Sequence, residues 1–302
     1  MGAKTIIAVV FVILVIFLIV FYYFMPFNKL EFTSDSLNYN FTIDGNISKV
    51  QFYPNMRFEN KDITYKIDNC NIRKQEEMRY AFDIVENLTI LKFDEVLVNE
   101  DITVTCDEKA RFEGGMFIAG EGGPTEIVRA DEYNIILHGK ILLLKSSDCD
   151  KPNIALHELL HVLGFIHSNN QNNIMYNYTK CYQTIGEDIP KVINDIYSVP
   201  NYPDLVFEEV SASMSGRYLD LNMTIRNLGL KKSKEGLIKI NMKDDTLKEL
   251  ELEDLEIGNG RTISIGHLFV GRLSIDDIEL FIDYSENELN KQNNRIFLKA
   301  QN

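Results

Sequence analysis

Apolar residues fall into three regimes along this 302-residue chain. A continuous run comes first: positions 5–27 carry no charge, and 6–24 is almost wholly Ile, Val, Leu and Phe. About 20 such residues, rising 1.5 Å each, cross a hydrocarbon core of roughly 30 Å. The run ends Phe21-Tyr22-Tyr23-Phe24-Met25-Pro26 rather than in small residues, so it predicts an uncleaved transmembrane anchor over 1–27 and not a removed signal peptide. Residues 28–54 are polar and Asn-rich, and read as a stalk or a leading strand.

The second regime, 55–199, mixes two periods. A strand is expected over 57–68, then a helix over 73–91 with Met78, Ala81, Phe82, Val85 and Leu88 on one face. A short strand follows at 102–106. Gly114, Gly115, Gly120, Gly122 and Gly123 read as turn glycines, and 133–145 as one or two strands bent at Gly139. Helical spacing resumes from Pro152 to Gly164 and again over 189–197. The third regime, 200–302, begins after a Pro-containing break at 198–204. It has short alternating runs at 219–225, 237–242, 262–265, 278–284 and 296–298, the spacing of an antiparallel sandwich.

Composition narrows the partners. With 45% apolar and 25% charged residues the chain is ordinary globular material. Its 31 basic residues face 45 acidic ones, net −14, and no basic cluster dominates, which excludes nucleic acid as the expected partner. Four cysteines (Cys70, Cys106, Cys149, Cys181) are an even number open to three pairings. Sequons begin at Asn40, Asn46, Asn87, Asn177 and Asn222. With Lys4 at the short end, these features place the bulk of the chain on the extracellular side of a single-pass membrane protein.

The chemistry concentrates in positions 157–167, which read H-E-x-x-H-x-x-G-x-x-H. His157 and His161 are four apart on a helix, so both imidazoles face one ion, while Glu158 lies about 100° round from His157 and reaches water without ligating. A helix continued to His167 would carry that ring about 15 Å from His157. The ring joins the same ion only if the chain reverses, and Gly164 permits the left-handed turn that does this. Three neutral imidazoles leave a tetrahedral zinc one open place, the mark of a catalytic site. The expected metal ligands are therefore His157, His161 and His167, and the expected catalytic residue is Glu158. His138 and His267 read as surface or strand residues.

The motif, Ser168 after the third histidine and Asn173-Ile174-Met175-Tyr176 downstream together resemble the metzincin zinc endopeptidases, the matrixin branch in particular. The chain departs from that family in having no tryptophan and in placing Asn177 where a proline usually follows Met-Tyr. The resemblance implies an α+β zincin domain at 55–199, with a mixed twisted sheet and an active-site helix. It further implies one catalytic zinc ion, a peptide or protein substrate, Glu158 as general base, and Met175 as a floor beneath the imidazoles. Family position also suggests structural calcium near the glycine-rich stretch, although Glu113, Glu121 and Glu126 form no recognisable ligand set. The preferred pairings are Cys149 with Cys181 across the catalytic segment and Cys70 with Cys106 around the first helix. The strand at 134–144 is expected to offer an edge to an extended peptide, and Tyr176 and Tyr178 to stand beside the metal or, by default, to be buried.

Residues 200–302 are similar to the CARDB type of immunoglobulin-like module. The resemblance rests on Thr224-Ile225-Arg226-Asn227-Leu228-Gly229, Leu255-Glu256-Ile257-Gly258, and Asp283-Tyr284-Ser285-Glu286-Asn287-Glu288 leading to Asn293-Asn294. It implies a β-sandwich without chemistry of its own, open to a protein or cell-surface glycan partner. The rival to an anchored endopeptidase is an anchored adhesion or scaffold protein whose metal fold no longer cuts.

Overall fold

The computed structural model describes residues 14–16, 30–33, 50–109, 111–113, 116–243, 245–271 and 278–300. Leu14, Val15 and Ile16 are helical, and the rest of the expected anchor lies outside the described residues. Among the described residues no helix is long and apolar enough to cross a membrane. Gly114 and Gly115 are likewise outside them. The chain divides into two compact units, one of 40–202 with 228–231, the other of 1–39, 203–227 and 232–302.

In the first unit β2 (Met56–Phe58) and β3 (Asp62–Asp68) replace the single strand expected over 57–68. They serve different neighbours, so the chain must step sideways between them. β2 runs parallel to β9 (Tyr133–Leu143), whereas β3 lies parallel between β4 (Lys92–Glu95) and β5 (Ile102–Cys106). Parallel neighbours require a crossover, and helix α1 (Ile72–Leu88) supplies it. Asn71 caps α1 by accepting the Lys74 N–H at 3.0 Å. Met78, Ala81, Phe82 and Val85 are buried as expected, but Leu88, the last residue of the helix, is 44% exposed. Phe82 is stacked on Tyr65 with centroids 4.0 Å apart, joining helix to sheet.

β5 and β2 share one side of β9 end to end. The other side is taken by β8 (Gly120–Ala130), the antiparallel edge of an otherwise parallel sheet. This corrects two expectations. Strand 134–144 is interior rather than an edge, and Gly120, Gly122 and Gly123 lie within a strand, not a turn. A small hairpin, β6 (Arg111–Glu113) with β7 (Met116–Ile118), precedes β8.

Helix α2 (Asn153–Val162) has every side chain buried and lies on α1, β8 and β9. β8 permits this approach through its glycines. A Cβ on Gly122 would stand 2.3 Å from the Glu158 carbonyl oxygen, and one on Gly120 would stand 2.8 Å from the Glu158 side chain. Helix α3 (Asp188–Tyr197) closes the unit. Its C-terminal end is fixed by Arg57, 2% exposed, whose guanidinium donates to the Ile196 and Val199 carbonyls and stacks 4.5 Å over the Tyr197 ring. A cation at carbonyls of a helix C-terminus complements the helix dipole.

The second unit is built from two sheets. One has the order β14 (Gly260–Phe269), β11 (Tyr218–Asn227), β10 (Leu205–Ser215), β1 (Leu30–Thr33) and β17 (Lys299–Ala300). The other has the order β13 (Asp245–Leu252), β12 (Gly236–Met242), β15 (Ile278–Asp283) and β16 (Arg295–Phe297). Inward residues of both, among them Leu221, Met223, Ile225, Ile238, Ile240, Leu280 and Ile282, form one apolar core. The segment 28–54 contributes β1, which pairs antiparallel with both β10 and β17. Sequence periodicity overlooks β10 because a bulge at Phe207/Glu209 interrupts its alternation, and β13 because its charged residues suit an exposed edge.

Candidate metal centre

The site begins at the end of α2. Leu163 caps the helix, Gly164 takes φ +94°, and the Gly164 and Phe165 N–H groups donate back to the His161 and Leu160 carbonyls, both at 3.0 Å. This is a Schellman close, and it needs glycine at the left-handed position. A Cβ there would also meet Met56 at 2.8 Å. The reversal returns His167 to the two helical histidines.

The three Nε2 atoms form a triangle: His157 to His161 3.0 Å, His161 to His167 3.1 Å, His157 to His167 3.3 Å. Corners on such a triangle lie about 1.8 Å from their common centre, so all three could reach one ion at the usual zinc–imidazole distance of about 2.0–2.1 Å. The other ring nitrogens fix the tautomers. His157 Nδ1 lies 2.7 Å from the Ile174 carbonyl oxygen and His161 Nδ1 2.7 Å from that of Phe165. A carbonyl only accepts, so each Nδ1 carries the proton and each Nε2 presents a lone pair. Burial lowers the pKa of His157 and His161 to about 4, helped at His157 by repulsion from His161 and His167 and at His161 by repulsion from His167, and burial lowers that of His167 as well. These shifts favour the neutral form, the one in which imidazoles ligate a metal. Among the described residues no other group of three His, Cys, Asp or Glu side chains could hold a metal, so calcium at the glycine-rich strand has no support there.

Glu158 is 6% exposed and lines the same cleft of about 900 Å³ as the three histidines. Burial pushes its carboxyl up to about 8, with Glu121 on β8 adding like-charge repulsion. A cation held by the histidines would act in the opposite sense and favour the carboxylate.

The loop after His167 is held by its own backbone. Ser168 N–H donates to the Met175 carbonyl at 2.7 Å, Met175 N–H to Asn173 Oδ1 at 2.9 Å, and Ile174 N–H to the Thr184 carbonyl at 2.7 Å. Met175 is 1% exposed. Bridges join Cys149 to Cys181 and Cys70 to Cys106, the pairings preferred from their positions in the sequence. Tyr178 lines the cleft and is 49% exposed, whereas Tyr176 is half-buried and does not line it. His138 is bonded to Thr103 and Thr125 on neighbouring strands, and His267 sits beside Asp220 in the other unit.

Sequence reasoning overlooks several contributors. The Ile174 and Phe165 carbonyls leave no trace in residue type. Buried Asn153 and Gln183, which tie the loop down, look like ordinary polar residues. Gly120 and Gly122 are legible in principle, since their spacing of two places both on one face of a strand.

Known proteins add to this geometry. Residues 57–198 match the matrixin family model. Matrix metalloproteinase-16 of Homo sapiens and that of Rattus norvegicus are each 30% identical to the chain over 168 residues, covering 46% of it and 26% of the relative. The chain thus spans about a quarter of the length of the curated relatives it matches. The match to the matrixin model thus covers residues 57–198, the segment that holds the mixed sheet and the three converging histidines.

Proposed function

We propose that this protein is a zinc-dependent endopeptidase, anchored by the apolar segment 1–27, with its catalytic domain and a CARDB-like sandwich on the extracellular side. The carrying observation is the triangle of three Nε2 atoms in an open cleft also lined by Glu158, with the His157 and His161 tautomers fixed by carbonyls at Nδ1. When bound, zinc supplies a Lewis acid that polarises the scissile carbonyl and acidifies water. The side chains do the rest. His157, His161 and His167 hold the ion, the first two kept in register by the Ile174 and Phe165 carbonyls. Glu158 takes a proton from the attacking water and delivers it to the leaving nitrogen. Met175 forms a buried floor behind the imidazoles. β8 pairs with β9 alone among the described strands, so its outer side is where an extended peptide adds.

The matrix metalloproteinase name of the relatives supports a protein substrate, and the sandwich is left to bind protein or glycan. A non-cutting scaffold would need the histidines but not the carboxylate. The test is peptide cleavage by the purified protein before and after chelation, with zinc restored. Cleavage is expected to vanish and return. Glu158→Gln is expected to lose about 10²–10⁴-fold in turnover while keeping close to one zinc per chain. Full activity in that variant, or in the chelated protein, refutes the reading.

A further inference from the structure

The cleft has more charge than the hydrolytic step uses. Besides Glu158 it is lined by Glu121 on β8 and by Lys145, Asp148 and Lys180 on the segments that Cys149 and Cys181 bridge. Lys145 and Asp148 satisfy each other at 2.7 Å. Among the described residues Lys180 has no ion-pair partner, although the chain as a whole is net −14.

Lys180 is also firmly placed. Its N–H donates to Gln183 Oε1 at 2.7 Å, its carbonyl accepts from Asn153 Nδ2 at 2.7 Å, and the next residue is the bridged Cys181. Asn153 and Gln183 are each 1% exposed, so these ties are made from the interior. Only the lysine side chain remains to be ordered on binding, which keeps the entropic cost of an ionic contact low. A peptide lying in the cleft shields the pair from water and strengthens it relative to an ordinary surface ion pair.

We infer that Lys180 determines specificity: it selects a substrate with an acidic side chain at the subsite walled by the Cys149–Cys181 bridge. The inference deepens the endopeptidase reading and rests on it. It defines the substrate class as peptides with Glu or Asp at one fixed position near the scissile bond. Aspartate and glutamate elsewhere are disfavoured by the acidic surface, so the preference is confined to that position.

The experiment uses the full-length zinc-loaded protein and a peptide library randomised at three positions on each side of the cleaved bond. A single position is expected to select Glu and Asp. Synthetic peptides differing there as Glu or Gln are then compared by kcat/KM. The expected ratio is about fivefold in favour of Glu, arising in KM rather than kcat and shrinking as salt is raised. Lys180→Gln is expected to bring the ratio near one, Lys180→Glu to invert it, and Lys180→Arg to keep it. Because both peptides are cut by the same preparation, the ratio does not depend on how much of a variant is folded. Cleavage with no acidic preference, or a preference that survives Lys180→Gln, overturns the role of Lys180 and leaves the endopeptidase standing. Failure to cut any library peptide overturns both.

Discussion

The sandwich packs mainly Leu, Ile, Val and Met from its two sheets into its shared core, buries the polar side chains of Asn227, Ser233, Glu288 and Asn294, and keeps ion pairs such as Lys232 with Glu256 at 2.7 Å at the surface. The unit that carries the histidines buries more polar groups, several of them titratable. It buries Lys74, Arg57, Asn153, Gln183, His157 and Glu158, and both disulfides belong to it. Most of those polar groups are satisfied by backbone carbonyls rather than by opposite charges, as with Lys74 Nζ on the Asp107 and Leu144 carbonyls. A buried polar group costs stability unless bonded and gains little even when bonded. The unit that carries the three histidines thus adds buried polar groups and two covalent bridges to an apolar core of its own, while the sandwich has an apolar core and no bridge.

Removing the bridges is the strongest way to break that comparison. Loss of a native disulfide typically costs about 2–5 kcal/mol. Thermal unfolding in a thiol reductant is expected to move the transition of the catalytic unit down by several degrees or abolish it, and to leave that of the cysteine-free sandwich in place. Calorimetry, with near-UV dichroism to identify the units, reads this directly. If both transitions fall together, the two units do not carry their stability separately.

A second, smaller effect sharpens the contrast within the catalytic unit. Gly122→Ala sets a methyl 2.3 Å from a helix carbonyl that cannot move aside, whereas Gly123→Ala meets nothing within 4 Å. Overpacking against backbone costs typically about 1–3 kcal/mol. Chemical denaturation should therefore show a clear loss for Gly122→Ala and almost none for Gly123→Ala. Equal effects would mean that β8 does not depend on glycine to seat α2.

The same pair shows what can be read from the chain. The histidine triad is legible because helical spacing, a helix-ending glycine and the chemistry of three imidazoles all point one way. The sandwich class is legible from the change of period after position 200, whereas the mixed sheet is reached only through the family resemblance. Gly120 and Gly122 are misread because glycine signals turns more often than close packing, and only tertiary structure shows which surface requires the missing side chain. β9 is misread as an edge for a related reason: its apolar pattern fits any strand, and the exposed side of a sheet is fixed by which partner arrives last. β13, rich in Lys and Glu, hides because an edge strand tolerates charge that an interior one would not. Leu88 is a boundary error, apolar in the right phase but the last residue of its helix.

Titration gives the subtlest comparison, since three buried groups of the cleft carry large shifts. In the metal-free protein His157 and His161 have values near 4, below the ordinary 6.5, so the folded state loses stability as pH falls from about 6.5 toward 4. Glu158 acts at the other end. Its folded value of about 8 lies above the ordinary 4.5, so its contribution is retained below about 4.5 and lost as pH rises through 8. Glu158→Gln removes only the second effect. With chelator present, the variant is expected to melt a few degrees above the unsubstituted protein at pH 8, with the gap closing by pH 4.5 and both proteins declining together on the acid side. Adding zinc should reverse the order at pH 8, because a cation beside Glu158 turns its buried charge from a cost into an attraction. A gap independent of pH in the chelated proteins would show that the carboxyl is hydrated in solution, and that the burial of α2 against β8 does not reach its side chain.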